Sequence, residues 1–223
     1  MNRTSTVTVE ASGADVAAAT ALRSTRALRA ALIHPLWLRA THWLNALAVV
    51  LMATSGWRIY NASPVYDMRF PGEMTLGGWL GGALQWHFAG MWLLAFNGLV
   101  YLTLNLAGGR FRNKFFPLSA RGVWNDLRDA LRGRLSHADP RHYNGVQRLA
   151  YLVAITDLAL LVLSGLVLWK SVQFPLLREL MGGYEGARRI HFFAMATLVA
   201  FAAGHVLMVA LVPRTLITMI RGR

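Results

Sequence analysis

Four stretches of the chain are long, apolar and almost free of charge, and polar segments separate them. They cover residues 36–57, 81–107, 149–169 and 190–212. A bilayer core about 30 Å thick is crossed by about 20 apolar residues in a helix. Each stretch therefore predicts one transmembrane α-helix. The segments between them predict a loop at 60–80, with Pro64 and Pro71, a long arginine-rich connection at 108–148, and a short loop at 170–189. Within the connection, 119–135 predicts an amphipathic surface helix. Ser119 can cap it, and Trp124, Leu127, Leu131 and Leu135 fall on one side among arginines. Residues 1–33 are rich in Ala, Ser and Thr and carry no apolar signal-peptide core. They predict a flexible cytoplasmic segment with a short basic helix over 22–32. Residues 34–212 form the expected membrane domain, and 213–223 a basic tail.

Composition narrows the class. The chain is 55% hydrophobic with a mean hydropathy of +0.39, too apolar for an ordinary soluble domain of 223 residues. It has no cysteine, which excludes disulfides, zinc–thiolate sites, iron–sulfur clusters and thiol catalysis within it. The net charge of +13 collects in segments that flank the apolar runs, a pattern for anionic headgroups rather than nucleic acid. Seventeen Lys and Arg lie on one side of the four spans and six on the other. The positive-inside rule then predicts an all-α integral membrane fold, a four-helix transmembrane bundle with both termini cytoplasmic.

The candidate chemistry lies in four histidines within the spans. His191 and His205 share the fourth span, fourteen residues apart. That spacing puts both rings on nearly one helical face, about 21 Å apart along the axis. With alternating span direction, His87 and His191 lie near the outer membrane edge, and His42 and His205 near the cytoplasmic edge. A polar ring in lipid needs a partner, and two matched pairs suit two b-type haems, each held by an imidazole on either side of the iron. Covalent haem attachment needs C-x-x-C-H, which is absent. Glycines and alanines beside the histidines (Ala46, Ala53, Gly56, Gly90, Gly98) leave room for a flat group, or serve plain helix packing.

Arg39 and Arg188 each precede a histidine by three residues and are candidates for haem propionates. Arg39, Thr41, Asn45 and His34 are candidate donors to a quinone beside the cytoplasmic haem, with Gln85 and Arg188 as the outer alternative. Asp157, near mid-membrane, reads either as a proton relay or as a partner of Asn97. His34, His137 and His142 lie in flanking or loop segments and read as solvated.

Three stretches carry a resemblance: RATHWLNALAVVLMATSGWRIYNASP from Arg39, GGWLGGALQWHFAGMW around His87, and GGYEGARRIHFFAM around His191, with His205 following. They resemble the membrane cytochrome b subunits of bacterial respiratory oxidoreductases. These are the subunits of thiosulfate-reductase type, with formate-dehydrogenase and nickel-iron hydrogenase subunits as relatives. The similarity runs from about Leu36 to Val212. It implies two haem b groups on His42, His87, His191 and His205 and a multi-pass place in the bacterial inner membrane. It also implies electron exchange between the quinone pool and a redox partner, an extracytoplasmic molybdopterin oxidoreductase. The alternative is a small di-haem cytochrome that passes electrons from superoxide to quinone unaided. Outer basic residues such as Arg58 and Lys170 would then attract the anion.

Overall fold

The computed structural model describes residues 34–108, 119–132 and 145–222, and all regular structure among them is helical. The elements are α1 (Leu36–Ala62), α2 (Leu80–Ala107), α3 (Ala120–Leu131), α4 (Gly145–Trp169), α5 (Pro175–Leu180), α6 (Gly183–Leu211) and α7 (Arg214–Arg221). A single 3-10 turn, Gly72–Met74, lies between α1 and α2. Helices α1, α2, α4 and α6 are long and apolar enough to cross a bilayer. The expectations for residues 1–33, for His137 and His142, and for residues 133–135 at the end of the surface helix lie outside the described residues.

The spans run longer than the apolar stretches. Helix α1 continues to Ala62, where Ser63 and Pro64 stop it. Helix α6 begins at Gly183, seven residues before the apolar run, so the expected 170–189 loop is mostly helix. The polar opening of α6 holds its own pair, Arg188 Nη1 to Glu185 Oε1 at 3.0 Å, one turn apart. Gly182 precedes α6 with φ 76, a left-handed conformation that glycine adopts without a Cβ clash. The expected tail forms α7, an amphipathic helix ended by Gly222 in the same conformation. Ser119 caps α3 as expected, its Oγ accepting from Gly122 N at 3.0 Å. Asp126 of α3 in turn accepts from Gly145 N, the first residue of α4, at 2.6 Å.

The bundle is two hairpins. Helix α1 packs along α2, and α4 along α6; no comparable backbone packing joins one hairpin to the other among the described residues. Small side chains allow the close approach. Ala48, Ala83 and Ala187 are fully buried, as are Ser55 and Ser164. The large apolar residues, Val50, Trp92, Phe96, Leu99, Val162, Phe193 and Leu207 among them, face outward. Lipid tails solvate such residues as well as a protein core does, so packing between membrane helices falls to small ones. Polar bonds tie the first hairpin together as well: Asn97 Nδ2 on α2 donates to Thr41 O at 2.7 Å and to Asn45 Oδ1 at 2.6 Å on α1. Asn97 is therefore not the partner of Asp157. That residue is buried on α4, and its Oδ2 has no hydrogen-bond partner among the described residues.

The hairpins repeat each other. The pattern G-x-x-x-G-A-x-x-x-H-F-x-x-M-x-x-L occurs at Gly78, Gly82, Ala83, His87, Phe88, Met91 and Leu94. It recurs at Gly182, Gly186, Ala187, His191, Phe192, Met195 and Leu198. Helices α1 and α4 share Ser55-Gly56 and Ser164-Gly165. The contacts follow the pattern. Tyr60 of α1 meets Phe192 of α6 at 5.0 Å between ring centroids, and Trp169 of α4 meets Phe88 of α2 at 5.4 Å. Across the hairpins Trp57 Nε1 also donates to Met195 Sδ at 3.3 Å. A two-fold repeat is thus built into one chain.

Helices α1 and α2 approach each other closely at Gly90. A Cβ there would lie 2.7 Å from Met52 Cγ and 3.4 Å from Leu51 Cβ, whereas a Cβ at Gly98 would meet nothing within 4 Å. Gly90→Leu should destabilise the purified protein by about 1–3 kcal/mol, as overpacking does, and lower its melting temperature in detergent. Gly98→Ala should leave the melting temperature unchanged.

Candidate functional site

The four membrane histidines come from different depths of three helices, and the fold brings them together as two pairs. His42 of α1 faces His205 of α6, with ring centroids 6.0 Å apart and planes 65° to one another. His87 of α2 and His191 of α6 lie close enough to interact electrostatically. All four rings are half-buried. The pairing is the one expected from helix direction.

The His87/His191 level is built twice from the same parts. His87 Nδ1 lies 3.1 Å from Ser55 Oγ and 3.1 Å from Met52 O. Ser55 Oγ donates its own hydrogen to Leu51 O at 2.5 Å, which leaves an oxygen lone pair for the ring. His191 Nδ1 lies 2.9 Å from Ser164 Oγ, which donates to Leu160 O at 2.7 Å. The Leu161 carbonyl, placed as Met52 is in the first hairpin, also interacts with the ring. With acceptors on Nδ1, both rings carry their hydrogen there, an assignment made from the hydrogen-bond network. Nε2 of each is left with its lone pair, the form of imidazole that binds a metal. The glycine after each serine supplies the space. A Cβ at Gly56 would lie 3.4 Å from His87 Cε1, and one at Gly165 would lie 3.5 Å from His191 Cε1.

The His42/His205 level differs. Among the described residues no hydrogen bond engages either ring. Their neighbours are aromatic: Trp43 stands edge-on to His42 at 5.4 Å, and Phe201 stacks on His205 at 6.1 Å. The repeat also breaks here. The positions matching His42 and His205 hold Tyr151 and Tyr101, and these two phenols interact with one another.

A b-type haem fits these residues. Metal–imidazole bonds of about 2 Å on each side of one ion set ligand ring centroids about 6 Å apart, the spacing seen for His42 and His205. The Nδ1 acceptors supply the outer contacts that metal-ligating histidines usually have. The described residues hold no cluster of three or more His, Asp or Glu of the kind that binds a bare metal ion.

The other candidates have protein partners. Arg39 donates from Nε to Met219 O at 3.2 Å and from Nη2 to Ile220 O, so its charge caps the last turn of α7. Arg188 spans the hairpins from Glu185 to the carbonyl and hydroxyl of Ser63. Asn45 holds Asn97. Arg58 donates to Gly78 O. His34 is half-buried rather than solvated, and its backbone N–H reaches Gly222 O at 3.4 Å. Sequence reasoning missed Ser55 and Ser164. Self-comparison of the chain finds them, since Ser-Gly recurs at the same place in both hairpins.

Residues 33–222 match the family described as "Prokaryotic cytochrome b561". A protein of Azospira oryzae named "Putative protein-methionine-sulfoxide reductase subunit YedZ1" is 68% identical over 190 residues, which cover 85% of this chain and 96% of that protein. A "Probable Ni/Fe-hydrogenase B-type cytochrome subunit" of Cupriavidus necator is 25% identical over 202 residues, covering 83% of this chain and 81% of the relative. No solved structure matches. The chain belongs to the prokaryotic cytochrome b561 family, multi-pass proteins of the bacterial inner membrane that bind b-type haem and carry electrons across the bilayer.

Proposed function

We propose that the chain holds two haem b groups, one between His87 and His191 and one between His42 and His205. Through them it connects membrane quinone to an extracytoplasmic redox enzyme. This reading rests on the histidines that the fold brings together at two depths, His42 facing His205 and His87 close to His191. Such a haem, once bound, supplies a one-electron carrier at each level. The chain's own part is to fix the rings. Ser55, Ser164 and the carbonyls beside them orient His87 and His191, while Trp43 and Phe201 confine His42 and His205. Tyr101 and Tyr151 replace the histidines at the repeat-related position, which supports a count of two haems rather than three.

The bias of Lys and Arg supports a cytoplasmic location for both termini, for α3 and α7, and for the His42/His205 level. The His87/His191 level then faces outward. Exposed Trp79, Val172, Leu176, Leu180 and Tyr184 lie at that end and offer apolar contact to a partner. One relative is named as a reductase subunit and another as a hydrogenase cytochrome subunit. These names favour a partner enzyme over a self-sufficient superoxide oxidoreductase. Arg58 and Arg188, two of the basic residues that would draw the anion, are bonded to backbone carbonyls. The partner is read as a reductase of molybdopterin type. Quinone exchange is assigned to the cytoplasmic level, so that electrons cross both haems between partner and quinone. Arg39 and Asn45 hold α7 and Asn97 there, and the neighbouring phenols of Tyr101 and Tyr151 offer protic groups at this depth.

Extracted haem should number two per polypeptide in the purified chain. One or none would contradict the assignment.

The spectrum of single variants should sort by level. His87→Ala and His191→Ala should remove the same component of the reduced-minus-oxidised spectrum, and His42→Ala and His205→Ala the other. Loss of one component by both His42→Ala and His191→Ala would show the pairing to be wrong.

A further inference from the structure

The two levels use the same ligand type and differ in what stands behind the ligand. Behind His87 and His191, serine hydroxyls at 3.1 and 2.9 Å accept from Nδ1, with the Met52 carbonyl at 3.1 Å behind His87 as well. Each hydroxyl has already given its hydrogen to the carbonyl four residues earlier, so it is committed to accepting. Both serines are fully buried, so water does not compete for them. Behind His42 and His205 no acceptor is found among the described residues, and aromatic rings border them instead.

An acceptor on Nδ1 draws the N–H proton toward itself and leaves more electron density on the ring. Nε2 becomes a stronger donor to a metal. Stronger donation favours the oxidised iron over the reduced one and lowers the reduction potential, for which hydrogen bonding around the ligands is a recognised lever. We infer that the haem held by His87 and His191 has the lower potential of the two, because Ser55 and Ser164 place acceptors on both its ligands. The inference rests on the two-haem reading above. Ser55 and Ser164 are positioning residues, acting on the iron only through the imidazoles. With haem held at both levels, electron transfer from the His87/His191 level to the His42/His205 level would run downhill. In the opposite direction the extracytoplasmic partner must draw the electron onward.

The test is a potentiometric titration of the purified, haem-loaded chain, followed optically and by electron paramagnetic resonance. His42→Ala and His87→Ala proteins identify which signal belongs to which level. The wild-type His87/His191 component should titrate at the lower potential. In the Ser55→Ala/Ser164→Ala double variant that component should move to higher potential, with the His42/His205 component unmoved. Two retained haems with the order reversed, or with the His87/His191 component unmoved in the double variant, overturn the inference. Should the double variant lose a haem, Ser164→Ala alone and the wild-type order decide in the same way. A wild-type chain with fewer than two haems would instead overturn the reading on which the inference rests.

Discussion

An imidazole inside a bilayer must satisfy two ring nitrogens where no water is at hand, and the bundle is arranged around that demand. At one level Nδ1 of each histidine is met by a serine of the neighbouring helix within its own hairpin. The second nitrogen is then free to face the other hairpin. An unpaired polar group in hydrocarbon is costly, so the serine contact fixes ring orientation as well as stability. It also explains why helices pack tightly within a hairpin. A hydroxyl bonded to its own helix can reach the next ring only if the two backbones are close, and Gly56 and Gly165 provide that closeness.

Between hairpins the contacts are of another kind. Aromatic pairs at the His87/His191 end, the Trp57–Met195 bond and the Arg188 link to Ser63 hold the halves at side-chain distance. Across that separation His42 faces His205, and His87 lies close enough to His191 to interact with it. The division gives the chain a close seam within each hairpin and a wider one between them, where the histidines meet. The internal repeat carries the matched His87/His191 level. The repeat breaks at the other level, where one repeat-related pair is histidine and the other tyrosine.

The spans and the pairing of histidines were legible in the chain because both follow from apolar length and from the rise of a helix. The ends of α1 and α6 were not. There, polar residues remain helical because local partners such as Glu185 and Arg188 satisfy one another outside the apolar run. Arg39 and Asn45 looked available from spacing alone. Their partners lie at the far end of the chain, in α7, and on α2, and spacing along one helix carries no information about either. Ser55 and Ser164 were overlooked for a related reason. A serine in a membrane helix ordinarily bonds back to its own backbone, as these do. Their second role needs the neighbouring helix, and only the repeat of Ser-Gly with a following histidine points to it.

The paired histidines would place an imidazole on each face of each iron. Electron paramagnetic resonance of the oxidised, purified chain reads this directly, since two nitrogen ligands give low-spin iron and a missing one gives high-spin iron. Two distinct low-spin signals, together equal to two irons per chain, are the predicted result. A high-spin signal of one iron per chain, or a single low-spin species, would contradict the paired-histidine arrangement.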